Sequence, residues 1–474
     1  MKNKLRLTLV CVLIMVAVVS GVAFVLVIEC KLGGSDRSSN SDLHLLLQEC
    51  GVTDSSVDAT NLVSHHLQIR SLEGVDRFAE LVELDIPASD LESLEPLRGL
   101  VKIKHLRVSS RNLSSLEPLG ALAGLEKLII EQSDMLQDIS ALASCTNLRE
   151  LRIGGGSVGD LSALRNLHKL QFLHVVSKVC VDLSDIDCME DLIGLTLQCP
   201  MYSVNDELQL PRLRWLCLSV DGMCSIVPFV SNMNVETIRV SMGEMDLSWL
   251  LLASACKEID ISSNSVVDCR VIANLLMVSK LRLDCPLTSI EWLGKLPRLK
   301  TLRLGRCQQI DIRCVGELES VVELEFSGCS FANATSQSDN CDRNMSVVIL
   351  KFDKCAGVTA GMIEYFEAIE EIEIWNTEVK GLQDEVSQSL RRCRLEGSSV
   401  AYYSAFLESP DLRVMSVSGR YVPVNIECLY RAVVLEGKSY DVNVSGVFSK
   451  DQAWMVGELK SRANVRIRCY FWVD

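Results

Sequence analysis

Aromatic residues are scarce in this chain, 5% of 474, and basic residues are outnumbered, with 47 lysines and arginines against 62 aspartates and glutamates. The formal charge of −15 repels phosphate backbones and anionic lipid, so no nucleic-acid partner is expected. Short functional motifs are missing as well. No cysteines stand in a C-x-x-C pair and none of the six histidines lies in an H-E-x-x-H stretch, which removes the usual zinc-ligand spacings. There is no P-loop, kinase signature or dinucleotide fingerprint. One string, Gly155-Gly156-Ser157-Val158-Gly159, fits the G-x-S-x-G pattern of hydrolase nucleophiles, but it fills a turn between apolar segments and not a strand-to-helix corner. Neither catalytic residues, a cofactor, a metal nor a small-molecule substrate is therefore expected. What remains is a chain 48% hydrophobic with few rings, which points to an aliphatic core of Leu, Ile and Val stacked in layers and argues against disorder.

Charge is also absent from Leu7 to Ile28, a run of 22 mostly apolar positions. As a helix this run extends about 33 Å, enough to cross a hydrocarbon core of about 30 Å. A cleavable signal peptide has an apolar stretch of only about 7 to 15 residues, so the length favours an uncleaved anchor. The small residues near Ser20 and Gly21 keep signal cleavage, and hence secretion, as the alternative. Lys2, Lys4 and Arg6 precede the run, and mixed charges follow it. The positive-inside bias then makes 1–6 a cytosolic tail, 7–28 a transmembrane signal-anchor and everything beyond it extracytoplasmic. Residues 29–41, rich in Gly and Ser, read as a flexible spacer.

Beyond the spacer one pattern dominates. Aligned on apolar-x-x-apolar-x-apolar, the middle residue falls at Leu84, Leu106, Leu128, Leu151, Leu173, Leu195, Leu216, Ile238, Ile259, Leu281, Leu302, Leu324, Leu350 and Ile372, with steps of 21 to 23 residues and a single one of 26. Leu62 lies one step earlier, and Cys393 and Met415 continue the series with weaker residues. Return segments recur in phase: Ser71-Leu72-Glu73-Gly74-Val75, Ser93-Leu94-Glu95-Pro96-Leu97, Ser115-Leu116-Glu117-Pro118-Leu119, then Asp138-Ile139-Ser140-Ala141-Leu142 and Asp160-Leu161-Ser162-Ala163-Leu164. A period in this range resembles the leucine-rich repeat family, and the 22-residue class is similar to that of bacterial internalins and phosphatase regulatory subunits. The resemblance implies an α/β repeat solenoid, a horseshoe with a parallel β-sheet on its concave face. It implies a helical N-terminal cap at 42–61, about 16 repeats over 62–429, and degenerate repeats or a cap at 430–474. The family's turn slot usually holds Asn or Cys. Here it holds Asn264, Cys307, Cys329 and Cys355, but Ser89, Arg111, Lys178, Pro200 and other residues elsewhere.

The repeat changes the reading of the 20 cysteines. Cys307, Cys329 and Cys355 occupy the turn slot and Cys256 and Cys393 replace repeat leucines, so these five are expected to be buried thiols. Cys341, in the long insertion from Phe331 to Asn344, and Cys30 are the candidates for cross-links. Asn112, Asn333, Asn344 and Asn443 open N-glycosylation sequons. The residues that follow the middle leucines face outward from the sheet and include Arg107, Arg152, Arg239, Arg282 and Arg303, a local reversal of charge on an acidic protein. Phe172, His174, Trp215, Arg239, Arg282 and Arg303 are therefore the candidate partner-binding residues, since exposed aromatics and arginine dominate interface hot spots. Trp375, with Glu370, Glu371 and Glu373, forms a second, acidic candidate. The expected function is non-enzymatic binding of a protein or glycan on the concave extracytoplasmic face of a single-pass membrane protein. The alternatives are a secreted repeat protein and a cytosolic phosphatase-type regulatory subunit.

Overall fold

A computed structural model describes residues 40–473 except 53–57, 65–67, 88, 188, 205–207, 222–233, 244–245, 288, 317, 333–343, 381–388, 398–405, 408, 424–425, 436–440 and 463. The expected tail and anchor, 29–39 of the spacer, Asn333, Cys30 and Cys341 lie outside these residues. Among the described residues, no helix is long and apolar enough to cross a membrane.

Among the described residues, nineteen strands lie side by side in one sheet, and every pairing between them is parallel. The register is the repeat set out in space. Leu62 pairs with Leu84, Leu84 with Leu106, Leu106 with Leu128 and Leu128 with Leu151. The same column continues through Leu173, Leu195, Leu216, Ile238, Ile259, Leu281, Leu302, Leu324, Leu350 and Ile372. It then passes to residues that are not leucine: Cys393, Met415, Val442 and Val465. The pleat sends alternate side chains to opposite faces, so in every coil from Leu62 to Val442 the middle residue and the residue two later both point inward and are almost fully buried. At about 4.8 Å per strand the sheet is about 86 Å long.

The opposite wall is made of short return segments. Val75–Arg77, Glu95–Leu97, Glu117–Ala121, Ser140–Ser144, Ser162–Asn166, Ser248–Leu252, Arg270–Asn274 and Glu291–Lys295 are 3₁₀ turns. Pro96 and Pro118 sit at their starts, where no N–H is needed. A side chain opens many of them: the Ser93 and Ser115 hydroxyls accept the N–H of Glu95 and Glu117, and the Asp138, Asp160 and Asp246 carboxylates accept those of Ser140, Ser162 and Ser248. These segments line the side of the solenoid opposite the sheet, with the leucine column between. At the start of the array, helix Asn40–Glu49 buries Leu43, Leu46 and Leu47. Asp42 ties it down by accepting the N–H groups of Arg70 (2.8 Å) and Ser71 (3.2 Å).

The turn that leaves each strand departs from the single slot expected. In one set of coils the fourth residue after the middle leucine is buried: Ser110, Ser177, Cys199, Val220, Met242, Ser263 and Cys285. In the other set that fourth residue is left-handed, at Gln132, Gly155, Arg306, Gly328, Lys354 and Asn376, with φ between 47° and 105°. There the fifth residue turns inward instead: Ser133, Gly156, Cys307, Cys329, Cys355 and Thr377. A left-handed residue rotates the chain by one position, so the plug moves from the fourth to the fifth place. Asn264 is the casualty of the uniform reading: it is exposed, and Ser263 fills the slot by donating its hydroxyl to the Gly243 carbonyl at 2.5 Å. Cys307, Cys329 and Cys355 are buried free thiols that donate to backbone carbonyls, and Cys256 and Cys393 are buried in leucine positions.

Candidate functional site

The outward positions of the strands form three ladders across the solvent-facing side of the sheet. The middle ladder runs Asp85, Arg107, Ile129, Arg152, His174, Thr196, Cys217, Arg239, Asp260, Arg282, Arg303, Glu325, Lys351 and Glu373, each on the strand next to the last. The ladder beside it brings Phe172, Gly194 and Trp215 into register on three adjacent strands. Gly194 decides what happens there. A Cβ on it would stand 2.8 Å from Cδ1 of Phe172 and 3.3 Å from Cε3 of Trp215, so both rings lean over the glycine from either side and close the surface above it. Phe172 stays 40% exposed and Trp215 37%.

Three strands, Phe172–Val176, Gly194–Cys199 and Trp215–Val220, carry no charge on this face: their outward residues are Phe172, His174, Val176, Gly194, Thr196, Gln198, Trp215, Cys217 and Ser219. From Glu83 to Glu396 every other strand of the sheet has at least one charged residue there. His174 adds none at neutral pH. Burial holds its pKa below the ordinary histidine value, and the Arg152 guanidinium lowers it further against the weaker pull of Glu131. The sheet is also wider here, since Gly194–Cys199, Trp215–Val220 and Thr237–Met242 have six residues where most strands have five.

The arginines fare differently from the basic stripe that their spacing suggests. Arg239 pairs with Glu258 (3.0 Å), Arg282 with Asp260 (3.8 Å), and Arg303 with Glu325 (3.1 Å) and Glu323 (3.7 Å). Arg152 is paired with Glu150 at 2.8 Å. Asp260 and Glu325 stand on the same ladder as the arginines, and Glu150, Glu258 and Glu323 on the flanking one, so the reversal of charge is cancelled both along the ladder and from its neighbour. Arg239, Arg282 and Arg303 line a depression of about 290 Å³ together with Glu258, Asp260 and Glu323. Of the six residues singled out in the sequence, Phe172, His174 and Trp215 fall on the uncharged window and Arg239 stands at its rim. Arg282 and Arg303 lie further along, in the paired-charge region. The second candidate has Trp375 beneath the Arg394 guanidinium, 5.9 Å from its ring centre.

No family model and no curated protein matches the chain in sequence. Solved structures do. An internalin from Listeria monocytogenes matches with a TM-score of 0.54 at 24% identity, over 63% of this chain and 94% of its own. A leucine-rich repeat protein of Leptospira interrogans matches with a TM-score of 0.59 at 15% identity, over 81% of this chain and all of its own. Its fold is the leucine-rich repeat solenoid. A TLR13 chain, solved as a complex with ssRNA13, shares this leucine-rich repeat fold with a TM-score of 0.51 at 15% identity, over 83% of this chain and 62% of that one.

Within the leucine-rich repeats the sequons are not equivalent. Asn112 is exposed in a turn, where its amide donates to Asp90 at 2.8 Å, and Asn443 is exposed on a strand. Asn344 is 2% exposed. Its amide nitrogen donates to the carbonyls of Val315 and Leu318, and its oxygen accepts the N–H groups of Ser346 and Val347, both at 3.0 Å. The nitrogen that would carry a sugar is thus committed inside the repeat, which removes Asn344 from the candidate glycosylation sites of the folded chain. The Gly155–Gly159 string lies in a turn so close to the Leu136 carbonyl that a Cβ on Gly156 would overlap it. Sequence reasoning missed Gly194, Thr196, Gln198 and Ser219. The available signal was a glycine in a strand slot whose neighbours 22 residues before and 21 after are Phe and Trp.

Proposed function

We propose that this chain is a non-enzymatic binding protein that holds a protein partner on the inner face of its sheet, centred on Phe172, Gly194 and Trp215. One observation carries this reading: three adjacent strands without charge, two of them bearing exposed rings, in the middle of a face where other strands carry paired charges. An apolar centre within a polar rim is the anatomy of an interface hot spot, because the rim excludes water from the contacts that contribute most. The window spans about 10 Å across the strands and about 13 Å along them, enough for one anchoring loop or segment of a partner. Arg152–Glu150 on one side and Arg239–Glu258 on the other supply that rim.

The membrane part of the proposal rests on the sequence of 7–28 alone. We propose that this segment anchors the chain with the repeats beyond the membrane, and alkaline carbonate extraction of membranes tests it: retention in the pellet supports the anchor, and release at reduced mass supports a cleaved signal. For the binding surface, the test is photo-crosslinking in native cells, with p-benzoylphenylalanine in place of Phe172 in the full chain. The same probe at Val101, 60% exposed outside the sheet face, is the control. A discrete adduct at 172, absent at 101 and lost with Trp215→Ala, is the expected result. Equal labelling at the two positions, or an adduct indifferent to Trp215→Ala, overturns the reading.

A further inference from the structure

We infer that Cys269 and Cys285 form a covalent modification site, a dithiol that a small disulfide oxidises to a cystine joining two neighbouring coils. The backbone brings the two together. Ser263 and Val267, which follow strand Glu258–Ser262, donate their N–H groups to the carbonyls of Asp284 (3.1 Å) and Pro286 (3.4 Å) at the end of strand Lys280–Asp284. Cys285 lies between those two acceptors, and Cys269 lies two residues beyond the second donor. Both side chains point into the core, 2% and 0% exposed, and the Cys269 thiol donates a hydrogen bond to the Cys285 sulfur. Both are free thiols in this structure. Each also replaces a different residue of the repeat. The place before the 3₁₀ turn, which Cys269 holds, is Leu94, Leu116, Leu161 and Leu247 in other coils. The place that Cys285 holds is elsewhere Ser110, Ser177 and Ser263. Leucine and serine satisfy the packing in those coils, so packing alone does not call for two thiols in contact.

The other buried sulfurs nearby are placed differently. Cys307, Cys329 and Cys355 repeat one slot after successive strands about 4.8 Å apart, beyond the roughly 3.5–4.5 Å that a cystine sets between its Cβ atoms. Their S–H groups donate to the carbonyls of Gly305, Leu304 and Phe326 at 3.4, 3.2 and 3.4 Å. Cys269 and Cys285 come from two different slots and meet between the coils. The hydrogen bond from Cys269, helped by the Arg306 guanidinium, holds the Cys285 thiol below its ordinary pKa despite burial, whereas Cys269 is held above its own. Cys285 is therefore the nucleophile. Its thiolate attacks one sulfur of oxidised glutathione, and a glutathione thiolate leaves. Cys269 then loses its proton and attacks the Cys285 sulfur of the mixed disulfide, expelling the second glutathione. Two electrons pass from the pair to glutathione, and the pair's two protons end on the two glutathione thiols. With both sulfurs buried, exchange takes place as the coils are laid down, before Cys307, whose sulfur lies 3.6 Å from the Cys285 carbonyl, closes over them.

The test is to synthesise the full chain cell-free, in detergent, with either a mixture of oxidised and reduced glutathione or reduced glutathione alone. Free thiols are then blocked with N-ethylmaleimide and the chain is digested with trypsin without reduction. Cleavage leaves each cysteine alone in its own peptide, 258–270 and 283–295. The expected result in the oxidising mixture is that these two peptides are joined, lighter by two hydrogens than their sum. Hydrogen exchange in strands Glu258–Ser262 and Lys280–Asp284 should then be at least about tenfold slower than in the reduced chain. Cys269→Leu and Cys285→Ser restore residues that other coils use in these places, so each should keep the exchange protection of the reduced chain and show neither the joined peptide nor the slower exchange. Alkylation of both peptides in the oxidising mixture, Cys285 joined instead to Cys307, or exchange slowed equally in Cys269→Leu overturns the inference.

Discussion

Replacing Asn344 with alanine isolates what one buried amide does for a repeat that follows a long insertion. Two of the groups it touches have other partners: the Val315 carbonyl also accepts the Leu318 N–H, and the Leu318 carbonyl also accepts the Ser346 hydroxyl. The Ser346 and Val347 N–H groups bond to the Asn344 oxygen, and Val347 is fully buried. Leaving a buried N–H unpaired costs about 1–3 kcal/mol, with the half-exposed Ser346 at the low end, so Asn344→Ala should destabilise its coil by roughly 2–5 kcal/mol. Asn344→Asp keeps an acceptor for both N–H groups but sets its second oxygen against the Val315 and Leu318 carbonyls in a buried site, so it should cost at least as much as alanine. Urea titration, read beside hydrogen exchange in strands Glu323–Ser327 and Ile349–Asp353, measures the effect where it belongs. A loss below about 1 kcal/mol, or exchange unchanged in those two strands, would refute the accounting.

Further outcomes are expected elsewhere. Leu216→Asp puts a carboxylate into a fully buried column and should unfold several adjacent coils, seen as lost exchange protection in Gly194–Cys199, Trp215–Val220 and Thr237–Met242; an unchanged melt would mean the register is wrong. Gly328→Ala should cost about 1–2 kcal/mol because φ there is 61°, although the new Cβ would meet nothing closer than 3.9 Å; Lys354→Gly, at φ 50°, should be neutral or stabilising, and calorimetry separates the two. Burial depresses the His174 pKa, so the native state favours the neutral ring: the stability this contributes is present above the unfolded value near 6.5 and is lost as pH falls through the folded value. An NMR titration of its ring protons should therefore give a midpoint below about 6.5, and one at or above that value would contradict the burial.

The leucine column was legible in the sequence because burial imposes it: a polar residue there has no partner, and position after position must be aliphatic. That demand weakens past Ile372, where Cys393, Met415, Val442 and Val465 still keep the column but with residues that carry little signal individually. The turn slot was not legible, because whether Ser263 or Asn264 faces inward depends on a backbone angle that lysine, glutamine and arginine adopt elsewhere in the same array. The arginine stripe was visible along one ladder, but ion pairing also works across ladders, and Glu258 and Glu323 on the flanking ladder become neighbours of Arg239 and Arg303 only once the strands are in register. Gly194 escaped for a related reason: a glycine in a strand reads as a weakness until the rings on either side are seen to lie over it.

Because each strand pairs with one about 22 residues away, contacts across this very large parallel sheet are local in sequence, roughly 0.05 of the chain length. Parallel sheets are ordinarily slow to form because distant segments must meet first, but here every new coil only has to find the one made just before it. Folding can then proceed as growth at an end, in step with synthesis, with each finished coil serving as the template for the next. A coil that cannot close would stall everything that comes after it while leaving the earlier coils intact.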